Sequence, residues 1–249
     1  MKSIDTGACV LRTRGLRKDY GRDASLVHAV DGVDLTVAPG ETVAIMGPSG
    51  CGKSTLLYLL GGLDRPTGGE IWLDGQDLTR MSERALARLR RDAVGFVFQA
   101  FHLMDELTAV ENVELPALLA GRSPRAARRR AVELLERVGL ADRTRFLPTQ
   151  LSGGQRQRVA VARALVADPL VVLADEPTGN LDSASTRDVL QLFDHLHRAG
   201  QTLVIVTHDV QVAATADRMI SMSDGVFIKQ TMPRDGTSER QGALAGLEG

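Results

Sequence analysis

The stretch Gly47-Pro48-Ser49-Gly50-Cys51-Gly52-Lys53-Ser54 fits the pattern G-x-x-x-x-G-K-[ST], and no other feature of the chain constrains its fold as much. The pattern works only between a strand and a helix. Thr42–Met46 reads as a buried strand before it and Lys53–Leu60 as a helix after it. The glycines let the backbone bend around an anion and turn its N–H groups inward, while the helix aims the positive end of its dipole at the same place. Lys53 adds a point charge for the terminal phosphates, and the Ser54 hydroxyl suits Mg²⁺. Thr55 follows directly, so Gly47 to Thr55 is the expected nucleotide cradle. Cys51 sits at a variable position and reads as a small residue that fits, without a redox role.

Further along, apolar runs alternate with helical stretches. Thr42–Met46, Ala93–Phe98, Leu170–Ala174, Thr202–Val206 and Arg218–Met222 read as strands, mostly continuous apolar runs of the kind buried on both faces. Helix patterns cover Ser183–Leu196 and Val210–Thr215. This alternation predicts a mostly parallel sheet with helices on both sides. Val10–Arg17, Val33–Val37, Thr42–Met46 and Glu70–Leu73, separated by Gly and Asp turns, predict an antiparallel region near the start. The middle third reads as helical. Its clearest helix has Ser123 as N-cap and Pro124 at the first position, and it stops at Gly139. Arg125, Arg128, Arg129 and Arg130 crowd one side of it. They read as a solvated face, or else as a contact for acidic residues of a partner or for anionic lipid headgroups. From Pro233 the chain is polar and reads as a mobile tail.

Composition narrows the class. With 249 residues, 43% apolar and 24% charged, the chain is an ordinary globular one. Thirty basic residues against 31 acidic ones leave no overall basic footprint for nucleic acid. No apolar run approaches the roughly 18–20 residues that span a bilayer, and Met1–Val10 lacks the regions of a signal peptide. Cys9 and Cys51 form neither a disulfide framework nor a closed zinc site, so a reducing compartment is expected.

Leu170–Ala174 runs into Asp175 and Glu176, as a Walker-B strand does after such a cradle. Asp175 is then expected to hold Mg²⁺, and Glu176 to accept a proton from an attacking water. His208, after Thr202–Val206, is placed to contact the γ-phosphate. Leu151-Ser152-Gly153-Gly154-Gln155 precedes a helix over Gln155–Val166 and resembles the signature motif of the ABC ATPases. Ser152 with the amides of Gly153 and Gly154 makes an anion-binding helix cap.

That resemblance covers about Leu11 to Lys229 and implies a fold: an α/β P-loop NTPase (RecA-like) with an antiparallel β subdomain and an inserted helical subdomain. One nucleotide-binding domain is expected over 8–232, with the helical part at about 100–159 and a tail at 233–249. It further implies that the signature cap closes over ATP held by a second copy, so that Gln155 and Asp182 (of Asn180-Leu181-Asp182) join the nucleotide site. Tyr20 matches the residue that stacks on adenine. Gln99 matches the glutamine that senses Mg²⁺ and links to a membrane partner. Met46–Gly50, Leu59–Asp64, Gly95–Gln99, Glu111–Val113 and Ala174–Asp182 look like the MacB, LolD and FtsE group, whose ATPase subunits work with a four-helix permease. The implied protein is a homodimeric ATPase on the cytoplasmic face of the membrane, energising a separate permease. Phe101, Leu103 and Met104 either line the groove for a permease helix or pack within the helical part. Two other readings are a soluble ABC ATPase acting on nucleic acid and a regulatory scaffold of a cell-envelope complex. The first usually carries tandem cassettes, coiled-coil insertions or zinc modules, and none is present here.

Overall fold

The computed structural model describes residues 9–232; the expected tail at 233–249 lies outside them. In chain order the elements begin with β1 (Leu11–Tyr20), β2 (Val27–Val37), β3 (Thr42–Met46) and α1 (Lys53–Leu60). Next come β4 (Gly68–Leu73), β5 (Gln76–Asp77), α2 (Glu83–Ala93) and β6 (Val94–Val97). The middle holds α3 (Ala109–Leu119), α4 (Pro124–Arg137) and α5 (Gly153–Leu165). The chain closes with β7 (Val171–Asp175), α6 (Ser183–Arg198), β8 (Thr202–Thr207), α7 (Val210–Ala214), β9 (Arg218–Ser223) and β10 (Val226–Thr231). Among the described residues no helix is long and apolar enough to cross a membrane.

A four-stranded antiparallel sheet runs β2-β1-β4-β5, and a six-stranded sheet runs β10-β9-β3-β8-β7-β6. In the larger sheet β9, β3, β8, β7 and β6 are parallel, and β10 returns antiparallel to β9. The continuous apolar runs are explained by two cores, one on each face. Val171, Leu173, Val204 and Val206 join the core with α1 and the antiparallel sheet, whereas Val172, Ala174, Leu203 and Ile205 join the core with α3 to α6. Successive residues of one strand thus serve opposite cores. The carboxyl ends of β3, β7 and β8 all open at one end of the sheet, where open α/β sheets bind ligands.

Three elements were not settled by the sequence. Thr42–Met46, which the sequence admitted to either region, joins the centre of the parallel sheet, between β8 and β9, and not the antiparallel one. Both its faces are covered, with Val43, Ala44 and Ile45 fully buried, while β1 and β2 keep an exposed side. α2 escaped notice because only Leu86 and Leu89 are buried among Arg84, Arg88, Arg90 and Arg91. β10 escaped because its residues are mostly exposed.

α4 forms as expected: the Ser123 hydroxyl accepts the Ala126 N–H, Pro124 opens the helix, and Gly139 lies beyond its end with φ 72°. Its arginine side is more than a solvated face. Arg128 pairs with Glu114 of α3 at 3.2 Å, and Arg130 pairs with Asp168, between α5 and β7, at 2.6 Å. Asp168 also takes Arg122 at 2.7 Å. Arg129 pairs within the helix, with Glu133.

Candidate functional site: a phosphate cradle and two carboxylates

The turn Gly47–Gly52 wraps the start of α1. Gly52 is the N-cap with φ 103°, a left-handed value, and a Cβ there would overlap the Ala29 carbonyl. Only glycine meets both demands. Lys53 is 6% exposed, and its Nζ donates to the carbonyls of Gly47 at 2.7 Å and Pro48 at 3.0 Å. A lysine held across its own loop is pre-positioned over the space the amides surround. Cys51 is buried beneath the turn, in keeping with a packing role.

β7 ends at Asp175 and Glu176, whose side chains take different partners. Asp175 Oδ1 accepts the Ser54 hydroxyl at 2.9 Å, and Oδ2 accepts the Tyr58 hydroxyl at 3.1 Å. Desolvation, then the nearby Asp175 charge and this hydrogen bond, push the Tyr58 phenol above its ordinary value. Glu176 has φ 44°, a strained value for a side chain of this size. That turn brings Oε1 to 3.7 Å from Lys53 Nζ and Oε2 to 3.0 Å from His208 Nδ1. Lys53, Ser54, Asp175, Glu176 and His208 therefore converge from β3–α1, β7 and β8.

Gln99 and Asn180 bind each other. Gln99 Nε2 donates to Asn180 Oδ1 at 3.2 Å, and Asn180 Nδ2 donates to the Gln99 carbonyl at 3.1 Å. Beyond Gln99 the backbone is left-handed at Phe101 (φ 61°) and His102 (φ 49°), and the Arg163 guanidinium donates to both carbonyls. Burial alone pushes the Arg163 guanidinium downward. Leu103 packs against the helical core, whereas Met104 is 52% exposed. Asn112, 2% exposed, was not anticipated: it accepts the Met104 N–H and donates to the carbonyls of Met104, Leu107 and Thr108.

Ser152 caps α5 as expected. Its hydroxyl accepts the Gln155 N–H at 3.2 Å, and Gln155 Oε1 accepts the Ser152 N–H at 2.9 Å. Gln155 thereby serves its own helix start, and the amides of Gly153 and Gly154 are first-turn donors without helix partners. Gly154 is buried against Ser185 of α6. Asp182 caps α6 by accepting the Ser185 N–H and hydroxyl. Gln157, fully buried, donates from Nε2 to the Pro177 carbonyl at 2.7 Å, and its Oε1 has no hydrogen-bond partner. This bond fastens the signature helix to the segment after Glu176.

Tyr20 lines a cleft of about 560 Å³ with Gly50–Thr55, His28 and Asp224. Its hydroxyl donates to Asp64 Oδ2 at 2.8 Å, and Lys18 Nζ lies 4.9 Å from its ring centroid while donating to Asp64 Oδ1. Asp64 was not expected in the site. It lay within Leu59–Asp64, whose signal was group resemblance and not a role. His28 stands in the same cleft, with Nδ1 2.7 Å from Asp19.

The sequence pattern of the ABC transporter family matches residues 30–179. This chain belongs to that family. The cassette is 52% identical over 208 residues to an uncharacterized ABC transporter ATP-binding protein of Thermotoga maritima, covering 84% of this chain and 89% of that protein. It is 50% identical over 224 residues to the macrolide export ATP-binding/permease protein MacB 1/2 of Paracoccus denitrificans. It covers 90% of itself but 34% of that relative, so the cassette spans about one third of the MacB proteins it matches. In structure it resembles a dimeric bacterial ABC transporter cassette with TM-score 0.84 and 42% identity, over 90% of this chain and 99% of that one. A dimeric post-hydrolysis cassette bound to ADP and Pi gives TM-score 0.83 and 41% identity, with the same coverage.

The family implies Mg²⁺, and the donors fit it. A hydroxyl and a carboxylate 2.9 Å apart, Ser54 and Asp175, are hard oxygen donors beside a phosphate cradle. Among the described residues no group of three or more His, Cys, Asp or Glu side chains gathers as a metal site.

Proposed function

We propose that this cassette binds and hydrolyses ATP as the motor subunit of a membrane transporter of the MacB and LolD kind. The observation that carries the reading is the convergence of Lys53, Ser54, Asp175, Glu176 and His208 at the carboxyl ends of β3, β7 and β8. Gly47, Pro48, Ser49, Gly50, Cys51 and Gly52 surround the phosphates with backbone N–H groups, and Lys53 and Thr55 complete the hold. Tyr20 offers its ring to adenine, steadied by Asp64. Ser54 and Asp175 hold Mg²⁺, with Gln99 beside them; when bound, the cation neutralises charge on the β- and γ-phosphates. Glu176 orients a water and takes its proton, while His208 holds the γ-phosphate.

A single copy lacks donors on the far side of the phosphates. The Ser152, Gly153 and Gly154 cap of a second copy supplies them, which makes each site composite and the dimer the active form. The dimeric relatives support this arrangement. Gln99, Phe101 and Met104 face a membrane permease, and the Gln99–Asn180 pair passes motion between that surface and the nucleotide site.

The test is ATP turnover by the purified chain beside its Glu176→Gln variant, with capture of membrane proteins from native membranes. Hydrolysis that depends on Glu176, with a permease co-purifying, bears the proposal out. A chain that binds ATP without turnover, even with its partner, would favour the regulatory scaffold instead.

A further inference from the structure

Tyr58 lies outside the phosphate-loop motif, yet it holds the carboxylate on which the cation site depends. Ser54 and Tyr58 are four residues apart on α1, one turn along the same face. They donate to the two different oxygens of Asp175, at 2.9 Å and 3.1 Å. Asp175 is 7% exposed, so water contributes little to orienting it. A carboxylate turns easily about its Cβ–Cγ bond, because that torsion is broad. One donor per oxygen fixes the plane of the group, whereas Ser54 alone leaves it free to swing.

The tyrosine is itself fixed. Its ring meets Phe98 edge-on, with centroids 6.4 Å apart, and Phe98 stacks on Phe96 at 5.5 Å. Phe98 directly precedes Gln99. The phenol is therefore wedged between the end of β7 and the root of the Gln99 loop.

We propose that Tyr58 is a positioning residue for the divalent cation, acting through Asp175. It carries no charge and does not touch the cation. It holds Asp175 with Oδ1 toward Ser54 and Oδ2 toward the phenol, the orientation in which the carboxylate would receive the cation. Groups that orient a metal's ligands through hydrogen bonds are worth about 10–100-fold in metal affinity. The inference rests on the nucleotide reading above and concerns one residue of that site.

The experiment uses Mn²⁺ as the probe, read by electron paramagnetic resonance, with the full chain in excess over ADP. Binding of ADP in EDTA is measured alongside. Tyr58→Phe keeps the ring and its contact with Phe98, so the packing survives. It should bind Mn²⁺ about tenfold more weakly than wild type, with ADP affinity in EDTA unchanged. Tyr58→Leu, which also removes the ring, should match Tyr58→Phe in Mn²⁺ affinity.

Equal Mn²⁺ affinity in wild type and Tyr58→Phe overturns the proposal. So does an equal fall in metal-free ADP affinity, which would mean that the loop itself had moved. A loss seen in Tyr58→Leu but not in Tyr58→Phe reduces Tyr58 to packing, and overturns it as well. A wild-type chain that takes up neither Mn²⁺ nor ADP overturns the nucleotide reading, and with it this inference.

Discussion

His208 and Glu176 meet twice: Glu176 Oε2 lies 3.0 Å from His208 Nδ1 and accepts the His208 backbone N–H at 3.2 Å. The carboxylate is anchored to β8 by one oxygen and approaches Lys53 with the other. A group held at both ends is oriented before substrate arrives. Glu176→Gln preserves its shape and keeps an acceptor for the His208 N–H but cannot take a proton. Turnover should fall by about 10²–10⁴-fold, the usual worth of a general base, while ATP affinity is kept. Gel filtration with ATP should show an accumulated dimer. Turnover at the wild-type rate would reassign the base.

Lys53→Ala removes the cation that bridges the Gly47 and Pro48 carbonyls. ATP affinity should fall by about 100-fold, since a charge-assisted contact in a partly dry site is worth about 1.5–3 kcal/mol. Equilibrium binding of a fluorescent ATP analogue measures it, with circular dichroism to show that the fold persists. Binding within twofold of wild type would remove Lys53 from the cradle.

Asp64 is expected to act through Tyr20. Tyr20→Ala should weaken ATP binding by about 1–3 kcal/mol, the range for base–aromatic stacking, and Asp64→Ala by less. The double variant should resemble Tyr20→Ala alone, because Asp64 has nothing to steady once the ring is gone. Additive losses in this cycle would separate the two residues.

Asn112→Ala strips the partner from the Met104 N–H and from the Leu107 carbonyl, while the Met104 and Thr108 carbonyls keep their backbone donors. Leaving buried backbone groups unpaired costs about 1–3 kcal/mol, and at about 2–4 °C per kcal/mol for a chain of this size the Tm should drop by roughly 2–12 °C. Calorimetry reads the loss, and an unchanged Tm would mean that the segment holds itself.

Asp168 sets an acid-side expectation. Burial pushes its carboxyl up, but the Arg122 hydrogen bond and the charges of Arg130 and Arg122 outweigh it, leaving it below the ordinary 3.8. A carboxyl depressed by folding contributes stability above its unfolded value and loses it as pH falls through the folded one. Asp168→Asn should therefore be less stable than wild type at neutral pH, and the gap should close as pH drops below 3.8. The side chain is 56% exposed, so the neutral-pH gap is under about 1 kcal/mol. A gap that persists in acid would assign the effect to packing.

The parts of the site legible in the sequence were those whose chemistry demands fixed residue types at short spacing. The Gly47–Ser54 turn, the acidic end of β7 and the Ser152 cap are local, and each forms where it was expected. Which of the two sheets Thr42–Met46 joins was not legible, because its pairing is decided by β8 and β9, far along the chain. The supporting residues were hidden for the same reason. Tyr58 finds Asp175 across 117 positions and Tyr20 finds Asp64 across 44, and no local pattern marks such pairs. Asn112 and Gln157 look like ordinary polar residues on helices until folding buries them.

The bond from Gln157 to the Pro177 carbonyl has a mechanical consequence. Under the composite-site proposal, it makes one rigid lever of the cap a chain lends to its twin and the acidic turn it keeps for its own nucleotide. In a twofold pair, whatever tilts that lever at one pocket also shifts the lid of the other.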